Sequence, residues 1–365
     1  MRRPSSTPKE VGATPGVARL VALRVRRRTA IWVGVVICVA LLIGVMVPSL
    51  LLGRSAQSPA ATHPIPYLGV YERNGAVSYT DVAAFTSATG VQPDILMYYS
   101  AWLEPFNTRF ALAAATHGAA PLVQINPIDV SLAAISAGKY DSYLSSYADA
   151  VRSYRNPVIL GFGHEMNGYW YSWGYRHTTP AVFVAAWRHI VTLFRELGAR
   201  NVIWLWTVNI VATSGGIRYP GPWWPGDKYV NWVGIDGYYY NSSLTFDPLF
   251  GPTIAAVRNL TREPILIAET AAPAASQPAK IQDLFAGIRL YGLLGFVWFD
   301  AVDKQDWRLR SPAAIHALRL GATGHFGPGA MSRGLRLTGR AGNRPDHCRP
   351  SPTVKNCVSP RERYQ

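Results

Sequence analysis

The sequence predicts an α/β fold, a TIM (β/α)8 barrel, preceded by one N-terminal transmembrane helix. Three observations carry that prediction. Eight short apolar, β-prone runs fall between residues 67 and 299, stretches with helical spacing separate most of them, and residues 31–52 form an apolar segment without a charge. With 49% hydrophobic and 12% aromatic residues, the 365-residue chain has ample material for a core, so wholesale disorder is excluded.

Residues 1–29 make a basic tail, with eight Lys or Arg against one Glu in the first 28 positions. The apolar segment comes next, within residues 30–53, bracketed by Arg26, Arg27 and Arg28 before it and Arg54 after it. Its length matches the hydrocarbon thickness of a bilayer, roughly 20 helical residues. The Arg excess on its N-terminal side places that end in the cytoplasm. A signal peptide cut near Arg54 is the rival, but the apolar run exceeds the usual h-region of about 7–15 residues, which favours an uncleaved anchor. Both readings export the C-terminal remainder of the chain, so the expected location is the cell membrane, single-pass, with the main domain outside. Residues 54–66, rich in Ser, Ala and Pro, read as a linker reaching at most ~40 Å.

Residues 67–320 carry the barrel pattern. The β-prone runs are 67–71, 94–99, 121–125, 157–162, 201–206, 230–235, 264–268 and 295–299. Several are apolar at nearly every position, as strands buried on both faces of a parallel sheet must be. Helical spacing appears over 82–88, 140–155, 181–197, 249–260 and 279–291, while the Gly- and Pro-rich stretch between the fifth and sixth runs reads as a long loop. Eight such units in about 260 residues fit a TIM barrel in size and rhythm. A doubly wound sheet is the alternative, but no Gly-rich dinucleotide turn succeeds an early strand. Residues 321–365 lack apolar periodicity and read as a disordered basic tail.

The net charge of +15 invites a nucleic-acid partner, and its distribution argues against one. The two ends hold +7 (residues 1–28) and +6 (residues 326–365), leaving a nearly neutral middle. Of the three cysteines, Cys38 lies in the apolar segment and Cys348 and Cys357 in the tail, so no disulfide framework or cysteine metal site supports the barrel. The expectations are therefore a monomer with no nucleic-acid partner, a membrane contact through the N-terminal helix, and no cofactor.

A barrel places its active site at the C-terminal ends of its strands. Just past those ends lie Glu72, Trp102, Asn126, His164, Glu165, Asn167, Asn209, Asp236, Tyr238, Glu269, Trp298 and Asp300. Carboxylates stand just after the fourth and seventh strands, and large rings stand at almost every strand end. Two carboxylates across a barrel mouth, about 5–5.5 Å apart, are what retaining glycoside hydrolysis needs: one protonates the leaving oxygen and the other attacks the anomeric carbon. Flat rings suit the C–H faces of sugars. HEMNG at residues 164–168 is not HExxH, so no metal is expected.

The segment GFGHEMNGYWYSWG, residues 161–174, resembles the acid/base signature of glycoside hydrolase family 26, whose members are mostly endo-β-1,4-mannanases. The His before the Glu, here His164, separates that family from most of its clan. The resemblance implies Glu165 as general acid/base and Trp170 as a sugar-stacking ring. WWPGDKYVNWVGIDGYYY, residues 223–240, looks like the family's sixth strand and implies that Tyr238 touches the nucleophile. ILIAET, residues 265–270, implies Glu269 as that nucleophile, and GFVWFD implies Trp298 as a ring closing the sugar site. The similarity covers roughly residues 67–318. One departure concerns the Arg that many mannanases of the family carry shortly before the His–Glu pair; here Gly161 or Phe162 stands there.

The expected protein is thus a retaining endo-β-glycosidase cleaving β-1,4-mannan-type polysaccharide by double displacement. The catalytic candidates are Glu165 and Glu269, and the substrate-binding candidates are His164, Asn167, Trp170, Trp102, Asn209, Tyr238 and Trp298. A β-1,3/1,4-glucanase of the same fold, and a catalytically quiet glycan-binding barrel in envelope polysaccharide assembly, are the alternatives. His164 could equally orient its neighbours, Asp236 could brace a loop, and at least one of Trp204 and Trp206, which share a strand face, should be core.

Overall fold

The computed structural model describes residues 67–211 and 218–323. The expected basic tail, transmembrane segment and linker (1–66) and the C-terminal tail from 324 onward lie outside the described residues. Among the described residues no helix is long and apolar enough to cross a membrane.

Eight strands close into a parallel barrel in sequence order: β1 (Tyr67–Tyr71), β2 (Ile95–Ala101), β3 (Ala120–Asn126), β4 (Val158–Phe162), β5 (Val202–Asn209), β6 (Trp232–Asp236), β7 (Ile265–Thr270) and β8 (Gly295–Phe299). The ring closes where β8 pairs with β1, from Tyr67 opposite Gly295 to Tyr71 opposite Phe299. The helices are α1 (Thr80–Thr89), α2 (Thr108–Thr116), α3 (Leu132–Ser136), α4 (Asp141–Tyr154), α5 (Pro180–Glu196), α6 (Phe246–Arg258), α7 (Gln277–Tyr291) and α8 (Pro312–Ala322). Between β5 and β6 the described residues form only two short 3-10 turns, Gly221–Trp223 and Asp227–Tyr229, as that stretch's glycines and prolines foretold.

Alternation along the strands sorts side chains into two cores. Ile95, Met97, Leu122, Ile159, Leu205, Leu266 and Val297 fill the barrel. Their neighbours one step along each strand face the helices, where Trp204 and Trp206 both lie in the outer core. Helix α5 meets that layer with Phe183, Trp187, Ile190 and Phe194, one stripe at helical spacing. Each such side chain stabilises the fold by about 1.5–3 kcal/mol on burial. Thr179 caps this helix by accepting from the Val182 N–H, and Pro180 begins it without wasting a donor.

Two glycines make room above the barrel core. A Cβ at Gly161 would lie 1.9 Å from Gln124 Oε1, and one at Gly234 would lie 2.4 Å from Thr207 Oγ1. The space belongs to Gln124, whose amide donates to Thr207 Oγ1 at 2.9 Å.

Closure itself depends on a glycine. Gly295 has φ +146°, and a Cβ there would lie 2.0 Å from the Tyr67 carbonyl oxygen, a backbone atom that cannot swing aside. Gly295→Ala is expected to destabilise the barrel by about 3 kcal/mol, lowering Tm by roughly 6–12 °C for a domain of this size. Calorimetry tests it; an unchanged Tm would mean β8 and β1 do not meet in this register.

Candidate active site

The cleft at the C-terminal mouth has a volume of about 550 Å³, and its walls include Tyr71, Tyr99, Asn126, Glu165, Trp170, Asn209, Tyr238, Tyr240, Glu269 and Phe299. Glu165 sits on a sharply turned segment after β4. Gly163 and Glu165 both have positive φ, +56° and +54°, and for Glu165 that is a strained conformation. Neighbouring strands hold it: the Gly163 N–H donates to Ile125 O and the Glu165 N–H to Thr207 O, both at 2.9 Å. The turn lifts the Glu165 carboxyl into the cleft, where the Trp170 indole N–H donates to it at 2.7 Å and the Asn209 amide at 2.5 Å. Trp170 reaches back because residue 168 is glycine, over which its ring lies too closely to admit a Cβ.

Glu269 arrives by a different device. Ala268 faces the barrel interior, so strict alternation would turn Glu269 outward. Instead β7 carries one extra residue. Ile235 pairs with Ile267 but Asp236 with Glu269, and Ile267 pairs with Phe296 but Thr270 with Trp298. This bulge redirects the carboxyl into the mouth. There the Tyr238 hydroxyl donates to it at 2.7 Å and the Tyr99 hydroxyl donates to its other oxygen.

These surroundings separate the two acids. Burial and the charge of Glu269 push Glu165 up to about 8, against the opposing pull of its Asn209 and Trp170 hydrogen bonds and of Lys304. Burial also raises Glu269, but the two phenolic hydrogen bonds counter it. Burial keeps those phenols protonated, and so always donors. The arrangement favours a protonated Glu165 beside an ionised Glu269.

Other sequence candidates divide by where their side chains go. Trp170, Asn209 and Tyr238 line the cleft; His164, Asn167, Trp102 and Trp298 are not among its walls. Trp298 lies one step off the inward parity of β8, packs in the outer core, and donates its indole N–H to Trp307 O at 3.1 Å. Phe299 and Trp307 reach the cleft instead. Trp102 packs edge-on against Tyr140, Tyr143 and Phe162. Asn167 is a brace: its Oδ1 accepts from the Asn209 N–H and its amide donates to Asn209 O and Arg218 O, which aims Asn209 at Glu165. His164, kept neutral by burial at a pKa of about 3, meets the Tyr171 hydroxyl through Nε2 at 3.1 Å. Asp236 is fully buried beside Glu269, and burial together with the charges of Glu269 and Glu165 holds its pKa well above the usual carboxyl value.

Residues beyond the sequence candidates include Tyr99, an inward position at the end of β2, and Tyr240, Asp303, Lys304 and Trp307 on the loops after β6 and β8. Strand parity could have signalled Tyr99; nothing local signals the loop residues.

Residues 128–272, an interval holding both glutamates, match the model of glycosyl hydrolase family 26. Over that interval the chain matches glycosyl hydrolase family 26. It is 32% identical over 260 residues to Endoglucanase H of Acetivibrio thermocellus, covering 66% of this chain and 29% of that protein. It is 26% identical over 131 residues to mannan endo-1,4-beta-mannosidase A and B of Caldalkalibacillus mannanilyticus, covering 31% of this chain and 25% of that protein. The chain thus spans less than a third of the length of either relative. In fold, it is similar to a family 26 β-mannanase from Bacteroides ovatus, with a TM-score of 0.55 at 16% identity over 73% of this chain and 91% of that one.

A second carboxyl pair stands where β1 and β8 end. Glu72 is buried against Asp300, which accepts the Leu309 N–H at 2.5 Å and so ties down the loop bearing Lys304 and Trp307. Burial, the charge of Asp300 and a hydrogen bond to it push Glu72 up to about 9 from its usual 4.5. A folded-state pKa above the unfolded one contributes stability at acid pH that is lost as pH rises from about 4.5 through about 9. Glu72→Gln keeps the hydrogen bond and removes the titration. Its Tm should match wild type near pH 4 and exceed it increasingly towards pH 9. A Tm difference that does not change with pH would refute the raised pKa of Glu72.

Proposed function

We propose that this family 26 barrel is a retaining endo-β-glycosidase acting on mannan-type polysaccharide. The observation that carries the reading is the convergence of two glutamates in one cleft in opposite electrostatic settings. Glu165 is buried, raised and exposed to the charge of its partner, so it starts protonated as the general acid. Glu269 is held ionised by two phenols and attacks the anomeric carbon. Once Glu269 is esterified its charge is gone, the Glu165 pKa falls, and the resulting carboxylate activates water. Trp170 and Tyr240, both nearly half exposed at the mouth, offer rings to sugar faces.

The β-mannosidase relative supports a mannan main chain. A β-glucan main chain is the second reading, favoured by the higher identity to the endoglucanase. The two backbones differ in the orientation of the 2-hydroxyl, and hydrogen bonds at that hydroxyl strengthen in the transition state. Purified protein assayed on mannan, glucomannan, lichenan and laminarin separates the readings: mannan and glucomannan should be cleaved fastest, and turnover of lichenan alone would transfer the proposal to β-glucan.

Glu165→Ala should lower kcat about 10²–10⁴-fold, and Glu269→Ala should abolish turnover. A fluoro-glycoside inactivator should label Glu269 covalently; absence of labelling together with unaltered binding of oligosaccharide would make the barrel a quiet glycan binder. The pH profile is equally specific. Deprotonation of Glu165 makes kcat/KM fall above about pH 8. Trp170→Phe removes a donor to the carboxylate form, so the alkaline limb should move to higher pH while KM rises. An alkaline limb that stays in place would mean another group controls it.

The charge-free residues 31–52 further suggest a domain tethered close to a membrane, with polymer held at the cell's own surface as substrate. Cell fractionation decides this: recovery in the culture supernatant, trimmed near Arg54, would indicate a released enzyme.

A further inference from the structure

Beside and beneath Glu269 the barrel mouth holds more ligand atoms than double displacement uses. His164 after β4, Asp236 at the end of β6 and Glu269 on β7 are all buried, and each offers one ligand atom within 4.8 Å of the others. Among the described residues, this is the one His/Cys/Asp/Glu group with such spacing. Independently, Asp236 Oδ1, Asp236 Oδ2 and His164 Nδ1 are buried without a hydrogen-bond partner. Buried polar atoms left unpaired are costly and rare, so their presence on two of the three grouped residues calls for an occupant.

We infer that His164, Asp236 and Glu269 form a binding site for one borderline divalent transition-metal ion, such as Zn²⁺, which occludes the nucleophile. One imidazole with two carboxylates suits Zn²⁺ or Cu²⁺, whereas Mg²⁺ and Ca²⁺ prefer all-oxygen shells. Around a tetrahedral zinc with bonds of about 2.0–2.2 Å, ligand atoms stand about 3.4 Å apart. The three groups therefore need to close by little more than an ångström, within reach of side-chain rotation. Glu269 lines the cleft, so the ion has a route in. Metal coordination and nucleophilic attack compete for the same carboxylate, so the ion acts as a reversible inhibitor. That inhibitory consequence rests on the glycosidase reading; the binding site does not.

The test uses the full chain freed of metal by a chelator, with Zn²⁺ titrated against a zinc-responsive fluorescent chelator. Cysteines and histidines elsewhere bind zinc equally in every variant, so the readout is a difference. Asp236→Asn and Glu269→Gln, which preserve shape, should each weaken one site roughly ten-fold or more relative to wild type. If one variant misfolds by circular dichroism, the other decides. In wild type, Zn²⁺ should lower kcat/KM, and Mg²⁺ at the same concentration should not. Zinc binding identical in wild type and the folded variants overturns the site. Loss of one zinc in the variants, with no hydrolysis of any glycan by wild type, upholds the site and removes the glycosidase reading.

Discussion

Three buried carboxyl groups, Glu165, Asp236 and Glu269, stand close together at the barrel mouth, and their mutual repulsion governs what the rest of the mouth must supply. In a low-dielectric site they cannot all be charged at once. The barrel's answer is unequal hydrogen bonding. Glu269 receives two phenolic O–H groups, Glu165 receives an indole and an amide N–H, and Asp236 receives none. The negative charge settles where the phenols are, and that allocation leaves Glu165 the protonated member of the pair.

Precise placement of these donors falls to residues behind the cleft. Asn167 never reaches the mouth, yet it fixes the backbone of Asn209 from both sides and so sets the amide against Glu165. Below, the Gln124–Thr207 pair fills the barrel centre, and the Thr207 carbonyl also holds the Glu165 N–H. The strained turn at Glu165 persists because strands on either side over-determine it. The loop after β8 is anchored in a similar manner, through Asp300 and the Trp298 indole, which leaves Trp307 and Lys304 facing the cleft.

The relatives that this chain matches carry different polysaccharides in their names, and the mouth of this barrel offers a physical reason for such divergence. Its acids sit on strands and on one tightly held turn, whereas Tyr240, Lys304 and Trp307 sit on connecting loops. Loops tolerate substitution with little cost to the barrel, so the groups around the mouth can change while the acid pair stays in place.

Much was legible in the chain itself. Near-continuous apolar runs at regular intervals gave eight strands within a few residues of their observed bounds, and the glycines and prolines before β6 marked the segment without a helix. The helices α2, α3 and α8 were not marked, because α3 is barely more than one turn and an Ala-rich stretch such as 108–116 or 312–322 has weak apolar contrast. The segment around Glu165 was legible too, since its His, Asn, Gly and rings suit neither a core nor a surface helix. What the linear sequence hid was direction. Strands buried on both faces blur their period of two, so Trp298 and Phe299 look alike although only Phe299 faces the cleft. Glu269 lies on the wrong parity altogether and faces inward through a one-residue bulge set by its pairing with β6 and β8. The sequence alone thus determined the barrel and the chemistry-bearing residues; only tertiary pairing decided which of them meet, because side-chain direction in a closed sheet is fixed by register between strands far apart in the chain.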